Sequence, residues 1–232
     1  GDDSSAGVVS GTCAVSGDDE EGINTADLAF VSTLPAQIRA TVTNTTGRVG
    51  TFCSFVDWNG DGDFLDTVGG TLESGPQITV PGNSSNLNVT FDFGTTPIAP
   101  VGGSYARFRL STQAGCSDAG SYLDGEVEDY PVTITRRDFG DLPDSGVGTG
   151  VGNYQTRLND NGAAHDIVDG LFMGASVDPE GDGQPNAAAN GDDSAGDDED
   201  GVNLTDLANF HLGSPANLRV IASNSSGAAA QL

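Results

Sequence analysis

The chain of 232 residues contains no lysine and only eight arginines, against 34 aspartates and glutamates, so its formal net charge at pH 7 is −26. A surface this acidic repels phosphate groups, which argues against binding to nucleic acid or to anionic membranes. The same surface attracts cations. Long apolar runs are absent too: none approaches the roughly 20 residues that a membrane-spanning helix needs, so we expect no membrane insertion.

Residue patterns that carry catalysis or bind transition metals are also missing. Only two histidines occur, His165 and His211, and neither lies in a Cys/His pattern with metal-ligand spacing. The sequence has no phosphate-binding glycine loop and no HExxH motif, and the segment around Ser176 lacks the second glycine of a nucleophile elbow. We therefore expect that the protein is not an enzyme.

Cysteine is rare, with three residues at Cys13, Cys53 and Cys116. Two of them could form a disulfide and leave the third buried or bonded to another chain. Cys13 and Cys116 lie in loop-like sequence and Cys53 lies in a predicted strand, which favours a Cys13–Cys116 disulfide. Three unpaired thiols are the alternative.

Turn-forming residues are abundant, including 34 glycines and 10 prolines. Between the turns, apolar and polar residues alternate with a period of two, which is typical of half-buried strands. Six or seven strands between Ala36 and Thr135 predict an all-β fold, an antiparallel β-sandwich of the immunoglobulin-like type. The main predicted strands are Ala36–Thr46, Thr51–Trp58, Pro76–Val80, Leu87–Phe93, Ser104–Thr112 and Glu126–Thr135.

One segment of the sequence occurs twice. GDDEEGIN at 17–24 returns as GDDEDGVN at 196–203, and matching residues continue as far as Gly47 and Gly227. A period of about 180 residues indicates tandem domains rather than small stacked repeats. The sequence therefore predicts one full copy and the opening of a second.

These patterns predict four segments: an acidic linker end at 1–16, a β-sandwich at 17–137, a Gly/Asp-rich connector at 138–195, and an incomplete second sandwich at 196–232. An incomplete sandwich leaves strand edges unpaired. We expect either that the polypeptide continues or that this last segment completes a neighbouring molecule by strand addition.

An aspartate-rich loop is predicted directly after the second of these strands. Asp57, Asn59 and Asp61, followed by Gly62, match the first half of a calcium-binding loop, in which alternate side chains converge on one cation. Asp63 offers a backbone carbonyl at the seventh position, and Asp66, or Glu73 further on, is left to complete the shell. We predict calcium as the ligand; a solvated turn is the alternative.

A second stretch, VDPEGDG, has the same spacing at Asp178, Glu180 and Asp182. Asp197 and Asp198 lie nearby in the sequence and could add oxygen ligands. We predict a second calcium site here, with a merely solvated acidic linker as the alternative. Clusters that offer only oxygen select calcium or magnesium over zinc or copper.

The string GEVEDY carries three acids, Glu126, Glu128 and Asp129. The two glutamates share one strand face, and two interpretations are open. They pair with Arg107 or Arg109 in a network of salt bridges, or they lend oxygens to the ion near Asp57. A pair of catalytic carboxylates is a much weaker third interpretation.

Three strings in this order, FVDWNGDGDFLD, YARFRLST and GEVEDYPVTI, resemble the GEVED domain of bacterial secreted and surface proteins. The sequence from 138 to 202 looks like the linker block that accompanies this domain in long repetitive exoproteins. The resemblance implies an extracellular, tandemly repeated, β-rich and calcium-dependent surface module without enzymatic activity.

The function expected from these observations is structural: a calcium-binding repeat module of a surface adhesin, stalk or self-assembling filament. Its expected partners are other copies of the same repeat, with a surface glycan or protein as a possible target. The alternative is a carbohydrate- or ligand-binding module of a secreted protein, with a groove lined by Trp58, Tyr105 and Tyr122.

Overall fold

A computed structural model describes residues 22–98, 102–191 and 201–230. The chain divides into two compact units between Thr135 and Arg136, close to the predicted end of the first sandwich at 137. The predicted boundaries after 16 and after 195 lie outside the described residues.

The first unit consists almost entirely of strands. Its described part contains a 3-10 helix, Thr25–Asp27, and the strands β1 (Ala29–Val31), β2 (Pro35–Asn44), β3 (Gly50–Val56), β4 (Thr67–Val68), β5 (Thr71–Leu72), β6 (Ile78–Val80), β7 (Ser84–Thr95), β8 (Gly102–Ser111) and β9 (Glu126–Thr135). These elements confirm the all-β fold class. The six main predicted strands are all present, although their ends differ by a few residues from the predicted ones.

Five of the strands form one sheet in the order β1-β9-β8-β3-β6, and β2 pairs with β7 in a separate two-stranded sheet. All pairs are antiparallel except β1 with β9, which run parallel. The larger sheet is therefore mixed, whereas the sequence predicted a purely antiparallel arrangement. The long stretch of chain between β1 and β9 allows the crossover that a parallel pair requires.

The two sheets share one hydrophobic core. Phe91 of β7 lies 4.9 Å from the ring of Phe52 in β3 and 5.7 Å from the ring of Phe108 in β8, measured between ring centroids. Ile38 of β2 and Tyr130 of β9 are buried in the same cluster. The burial of alternate residues along β2 and β9 confirms the period of two that the sequence showed.

Strand β3 departs from this alternation because nearly all its residues are buried. It lies inside the larger sheet between β8 and β6, and both of its faces are covered. On the inner face Phe52 and Val56 join the core. On the outer face Phe55 packs against Phe64, with 5.8 Å between ring centroids, and Cys53 is covered by the segment after β8.

The disulfide joins Cys53 to Cys116, with the Cα atoms 5.7 Å apart. The predicted pairing of Cys13 with Cys116 is therefore wrong, and Cys13 itself lies outside the described residues. The prediction favoured Cys13 over Cys53 because Cys53 lies in a strand. However, its side chain projects from the outer face of the sheet, where the loop that carries Cys116 can reach it.

The second unit has short elements: β10 (Arg137–Phe139), β11 (Thr149–Gly150), β12 (Asn153–Tyr154), a 3-10 helix (Leu158–Asp160), β13 (Ala164–Asp166), β14 (Leu171–Met173), α1 (Leu204–Ala208) and β15 (Ala222–Asn224). They pair only as two-stranded ribbons within the described residues. In the part of the chain that is described, no helix is long and apolar enough to cross a membrane.

Candidate metal centre

The aspartate-rich loop leaves the larger sheet at the end of β3 and returns through the β4–β5 hairpin. Its first residue is anchored to the sheet: the N–H of Asp57 donates to the carbonyl of Tyr105 at 3.0 Å, and the Ser104 hydroxyl donates to the carbonyl of Asp57 at 2.6 Å. On the return, the N–H of Val56 donates to the carbonyl of Glu73 at 2.9 Å. The loop is thus fixed at both ends to the core sheet.

Glu73 joins the two ends of the loop. Its side chain is fully buried, and its carboxylate accepts the N–H of Trp58 at 3.0 Å and the N–H of Asp66 at 3.1 Å. Burial raises the pKa of Glu73, and the charge of Asp57 raises it further, while the two N–H donors act in the opposite direction. Glu73 is therefore a structural clamp beneath the loop.

Asp57 is buried as well, and it organises the first turn of the loop. Its carboxylate oxygens accept the N–H of Gly60 at 2.6 Å and the N–H of Gly62 at 3.1 Å. Gly62 has a φ of +98°, in the region that favours glycine, as the predicted sharp turn requires. Asp57 therefore shapes the loop from within.

Three exposed carboxylates meet at the outer part of the loop. One carboxylate oxygen each from Asp61, Asp63 and Asp66 lies within 4.8 Å of the others, and among the described residues no other group of acids, histidines and cysteines comes this close. The Nδ2 of Asn59 donates to Asp61 and to Asp66, at 2.9 Å each. These four residues are called the acidic cluster below.

Within the acidic cluster, hydrogen bonds favour the ionised form of Asp61. The N–H of Asp63 donates to Asp61 at 3.2 Å, and this bond, followed by the bond from the Asn59 amide, lowers the pKa of Asp61. Three carboxylates this close repel one another. A hard cation that binds oxygen fits this set, because calcium takes several carboxylate and carbonyl oxygens in flexible geometry.

Four of the five residues predicted for this site thus come together. Asp63 contributes its carboxylate rather than the predicted backbone carbonyl, and Asn59 directs its amide nitrogen, not its oxygen, at two neighbours. Asp57 does not belong to the cluster, and its oxygens accept the N–H groups of Gly60 and Gly62. Glu73 lies beneath the loop and does not join the cluster. Calcium itself stays a prediction.

The second predicted motif is arranged differently. The carboxylate of Glu180 is buried and accepts the N–H of Phe139 at 3.0 Å, while that of Asp182 accepts the N–H of Leu158 at 2.5 Å. Each carboxylate thus serves a different backbone segment. Burial raises the pKa of Asp138, and the nearby charge of Asp178 raises the pKa of Asp138 further.

Asp197 and Asp198 lie outside the described residues, so the second calcium site stays a prediction. In the described part of the chain, Asp178, Glu180 and Asp182 do not form a group like the acidic cluster.

The acids of GEVEDY alternate between the two faces of β9. Asp129 lies opposite Arg107 in the register of β8 and β9, and Arg107 donates to both of its carboxylate oxygens at 2.7 Å. Glu128 lies opposite Phe108 on the inner face, where the Tyr130 hydroxyl donates to it at 2.7 Å. The predicted glutamate–arginine pairs are therefore wrong, because cross-strand neighbours share a face.

Arg109 has a structural role that the sequence did not reveal. It is buried on the outer face of the sheet and donates to the carbonyls of Ser117, Ala119 and Gly120 at 2.7 to 2.9 Å. Its guanidinium also lies 4.0 Å from the ring centroid of Tyr122. The one sequence signal for this role is that Arg109 alternates with apolar residues in a predicted strand and precedes a loop that contains glycines.

Trp58 does not line a groove. Its side chain is fully buried, packs edge-on against Phe30 at 5.0 Å, and donates through Nε1 to the carbonyl of Leu72 at 3.1 Å. Tyr105 is 65% exposed and Tyr122 lies under Arg109. The aromatic groove expected for a carbohydrate-binding module therefore lacks one of its three rings.

Comparison with known proteins gives a family for this region. The family model of the GEVED domain matches residues 51–133, from β3 to β9, and this span includes the acidic cluster and the GEVEDY string. The search of curated proteins gives no match. This match confirms the predicted resemblance of the region to the GEVED domain.

Proposed function

We propose that this chain is a structural, calcium-binding repeat module of an extracellular surface protein, of the kind that builds adhesins, stalks or filaments. The observation that supports it best is the acidic cluster: the carboxylates of Asp61, Asp63 and Asp66 lie within 4.8 Å of one another on a loop that Glu73 clamps to the core. In this proposal the module has a mechanical role in maintaining the structure of the surface protein, and it does not catalyse a reaction.

The donor set favours calcium over other metals. Asp61, Asp63 and Asp66 offer only oxygen, which suits hard cations rather than zinc or copper. Their exposed position leaves room for the six to eight oxygens, waters included, that calcium takes, whereas magnesium requires near-ideal octahedral geometry. Calcium-binding extracellular modules have dissociation constants of roughly 10⁻⁴ to 10⁻³ M, which we expect here.

Calcium would act through charge and mass action. The formal net charge of −26 opposes compact packing by self-repulsion. A cation bound only to the folded state removes part of this repulsion and stabilises the fold in proportion to the logarithm of its concentration. A module of this kind is stiffer in calcium than without it.

The location outside the cell has its own support. The disulfide between Cys53 and Cys116 is of a kind that forms and persists in oxidising compartments and is rare in the cytosol of mesophilic organisms. The shared core of the two sheets supports the finer fold, an immunoglobulin-like sandwich, and the sequence repeat supports tandem copies as partners. The rival carbohydrate-binding function has no such support, since Trp58 is buried.

Calorimetric titration tests the proposal. We expect the chain to bind calcium with a dissociation constant below about 1 mM, and Asp63→Asn to weaken binding at least about tenfold. Asp92→Asn is the matched control, because it removes one charge from an exposed aspartate of β7 in the same unit. Equal binding by both variants, or no heat with the unaltered chain, contradicts the proposal.

A further inference from the structure

The loop that carries the acidic cluster contains two dipeptides of the kind that rearrange most readily in proteins. Asn59 precedes Gly60, and Asp61 precedes Gly62. In an Asn-Gly pair, the backbone nitrogen of the glycine attacks the side-chain amide carbon of the asparagine. Glycine favours this attack because it has no Cβ atom to hinder the nitrogen or restrict the backbone. Asn59 is therefore a candidate site of deamidation.

This reaction needs only water as a co-reactant. The Gly60 nitrogen loses its proton and forms a bond to Cγ of Asn59, the bond from Cγ to Nδ2 breaks, and Nδ2 leaves as ammonia with the proton. The product is a cyclic succinimide. Water then opens the ring at either carbonyl and leaves aspartate or isoaspartate at position 59. The sequence of steps begins with loss of the proton from the Gly60 nitrogen.

A buried carboxylate holds that nitrogen in place. The N–H of Gly60 donates to Oδ1 of Asp57 at 2.6 Å, and Asp57 is buried although Gly60 itself is exposed. Loss of the proton breaks this charge-assisted hydrogen bond and places a second negative charge beside the carboxylate. The nitrogen also has to turn away from Asp57 to reach the side chain of Asn59. Asp57 thus opposes the first step through charge and through position.

The side chain of Asn59 is held as well. Its Oδ1 accepts the N–H of Asp61 at 3.0 Å, and its Nδ2 donates to Asp61 and Asp66. The bond to the N–H two residues on is the Asx turn that asparagine forms in loops. The second oxygen of Asp57 accepts the N–H of Gly62 at 3.1 Å, so the same carboxylate faces the nitrogen of the Asp-Gly pair.

The sequence contains two further Asn-Gly pairs, at 161–162 and 190–191, and both are in the described residues. The glycine N–H that follows Asn190 donates to the carboxylate of Asp141 at 2.8 Å, and Asp141 is buried. The glycine N–H that follows Asn161 donates instead to the backbone carbonyl of Arg157 at 2.8 Å. A buried aspartate therefore faces the nucleophilic nitrogen once in each unit of the chain.

We propose that Asn59 is a deamidation site and that Asp57, which holds the Gly60 N–H, controls its rate. Deamidation replaces an amide that donates to Asp61 and Asp66 by a carboxylate that repels both. The isoaspartate product also adds a methylene group to the main chain and displaces the loop. Asp57 therefore preserves the composition of the acidic cluster as the protein ages. The inference goes beyond the calcium proposal because it concerns the covalent state of the loop and holds without any cation.

Site-specific deamidation rates test the proposal. The full chain is incubated near neutral pH in EDTA, folded or in urea, and each asparagine is followed by peptide mass spectrometry. We expect Asn59 to react at least about tenfold more slowly in the folded chain than in urea. Asp57→Ala should raise the folded-state rate at Asn59 at least about tenfold and should leave the rate at Asn190 within about twofold.

Asp141→Ala is the matched control, and the opposite pattern is expected: a faster reaction at Asn190 and an unchanged rate at Asn59. Asn161, whose glycine is held by a backbone carbonyl, should keep its rate in both variants. The fluorescence of Trp58 reports whether the first unit stays folded in Asp57→Ala. If it unfolds, Asp57→Asn replaces it, since this variant keeps the shape and removes the charge.

Hydrogen exchange adds a test that needs no variant. Base-catalysed exchange of the Gly60 N–H begins with the same loss of a proton, so we expect it to be at least about tenfold slower than in the unfolded chain. Three results overturn the proposal: equal rates for Asn59 in the folded chain and in urea, an unprotected Gly60 N–H, or a folded Asp57 variant in which Asn59 reacts no faster. Failure to bind calcium overturns only the proposed function.

Discussion

Glu73 and Trp58 are joined by a buried hydrogen bond: the carboxylate of Glu73 accepts the backbone N–H of Trp58 at 3.0 Å. Both side chains are fully buried. The same carboxylate accepts the N–H of Asp66 at the far end of the loop. The exposed acidic cluster is thus supported by a buried ionisable group. Any change to Glu73 acts on the cluster and on the core together.

Replacing Glu73 by glutamine should destabilise the first unit by about 2 kcal/mol, because an amide offers one acceptor oxygen where two N–H groups need acceptors. Trp58 is the only tryptophan in the chain, so its fluorescence in a urea titration reports this unit. Asp92→Asn, which removes an exposed charge, should shift the midpoint little. An unchanged midpoint for Glu73→Gln shows that the clamp contributes nothing.

We expect the substitution Asp63→Asn in the acidic cluster to shift the melting temperature in opposite directions without and with calcium. Without calcium, Asp63→Asn removes repulsion among three carboxylates and should raise the melting temperature slightly. With calcium at a few millimolar, the same variant lacks a ligand and should melt below the unaltered chain. Thermal melts in EDTA, magnesium and calcium check this; a shift of the same sign in EDTA and calcium contradicts a calcium site.

The ion pair between Asp27 and Arg39 makes the stability of the fold depend on pH, in a direction that follows from the pKa of Asp27. The Arg39 guanidinium and N–H bond to its carboxylate at 2.6 to 2.9 Å and lower the pKa of Asp27. A carboxylate with a lowered folded-state pKa stabilises the fold above its unfolded value of about 3.9, and the contribution is lost as pH falls through the folded value.

Asp27→Asn should therefore lower the urea midpoint by an amount that is constant above about pH 5 and shrinks as the pH falls below about 4. Comparing the variant with the unaltered chain cancels the opposite contribution of Glu73, whose pKa is raised. Asp206→Asn removes the same kind of pair in the second unit and should leave the Trp58 signal unchanged. A pH-independent difference for Asp27→Asn contradicts the assignment.

Position 125, the first residue of GEVEDY, requires glycine because of its backbone conformation. It has a φ of +103°, and a Cβ atom there would overlap the carbonyl oxygen of Leu110. Gly125→Ala should destabilise the first unit by more than about 2 kcal/mol, through strain and overlap together. Gly120 has a φ of +81° in open space, so Gly120→Ala should lose only about 1 kcal/mol. Equal losses in a urea titration contradict the overlap.

The sequence predicted the strands well because alternation is a local signal. The partners of Ile38 and Tyr130 are distant in the chain, yet both side chains are buried as the period of two required. The aspartate spacing likewise placed Asp61 and Asp66 in one loop. Periodicity determines which face a side chain takes, and this is enough to find a core.

Pairings between distant segments were not predictable in the same way. Whether Arg107 meets Glu128 or Asp129 depends on the register of two strands, and a shift by one residue exchanges the faces. The parallel pairing of β1 with β9 and the bond from Cys53 to Cys116 also depend on tertiary positions. Glu73 was only a candidate ligand from the sequence, because nothing local shows that it is buried.

The disulfide also has a mechanical consequence. It closes a loop of the chain between Cys53 and Cys116, which are 63 residues apart in sequence. At about 3.5 Å per residue, roughly 220 Å of contour length cannot extend while the bond is intact. When tension is applied at the two ends of the chain, force passes across the sulfur–sulfur bond and bypasses β6, β7 and the acidic cluster. A chain under load in an oxidising environment keeps that part of the domain shielded, and a reductant releases it as a single long increment in extension.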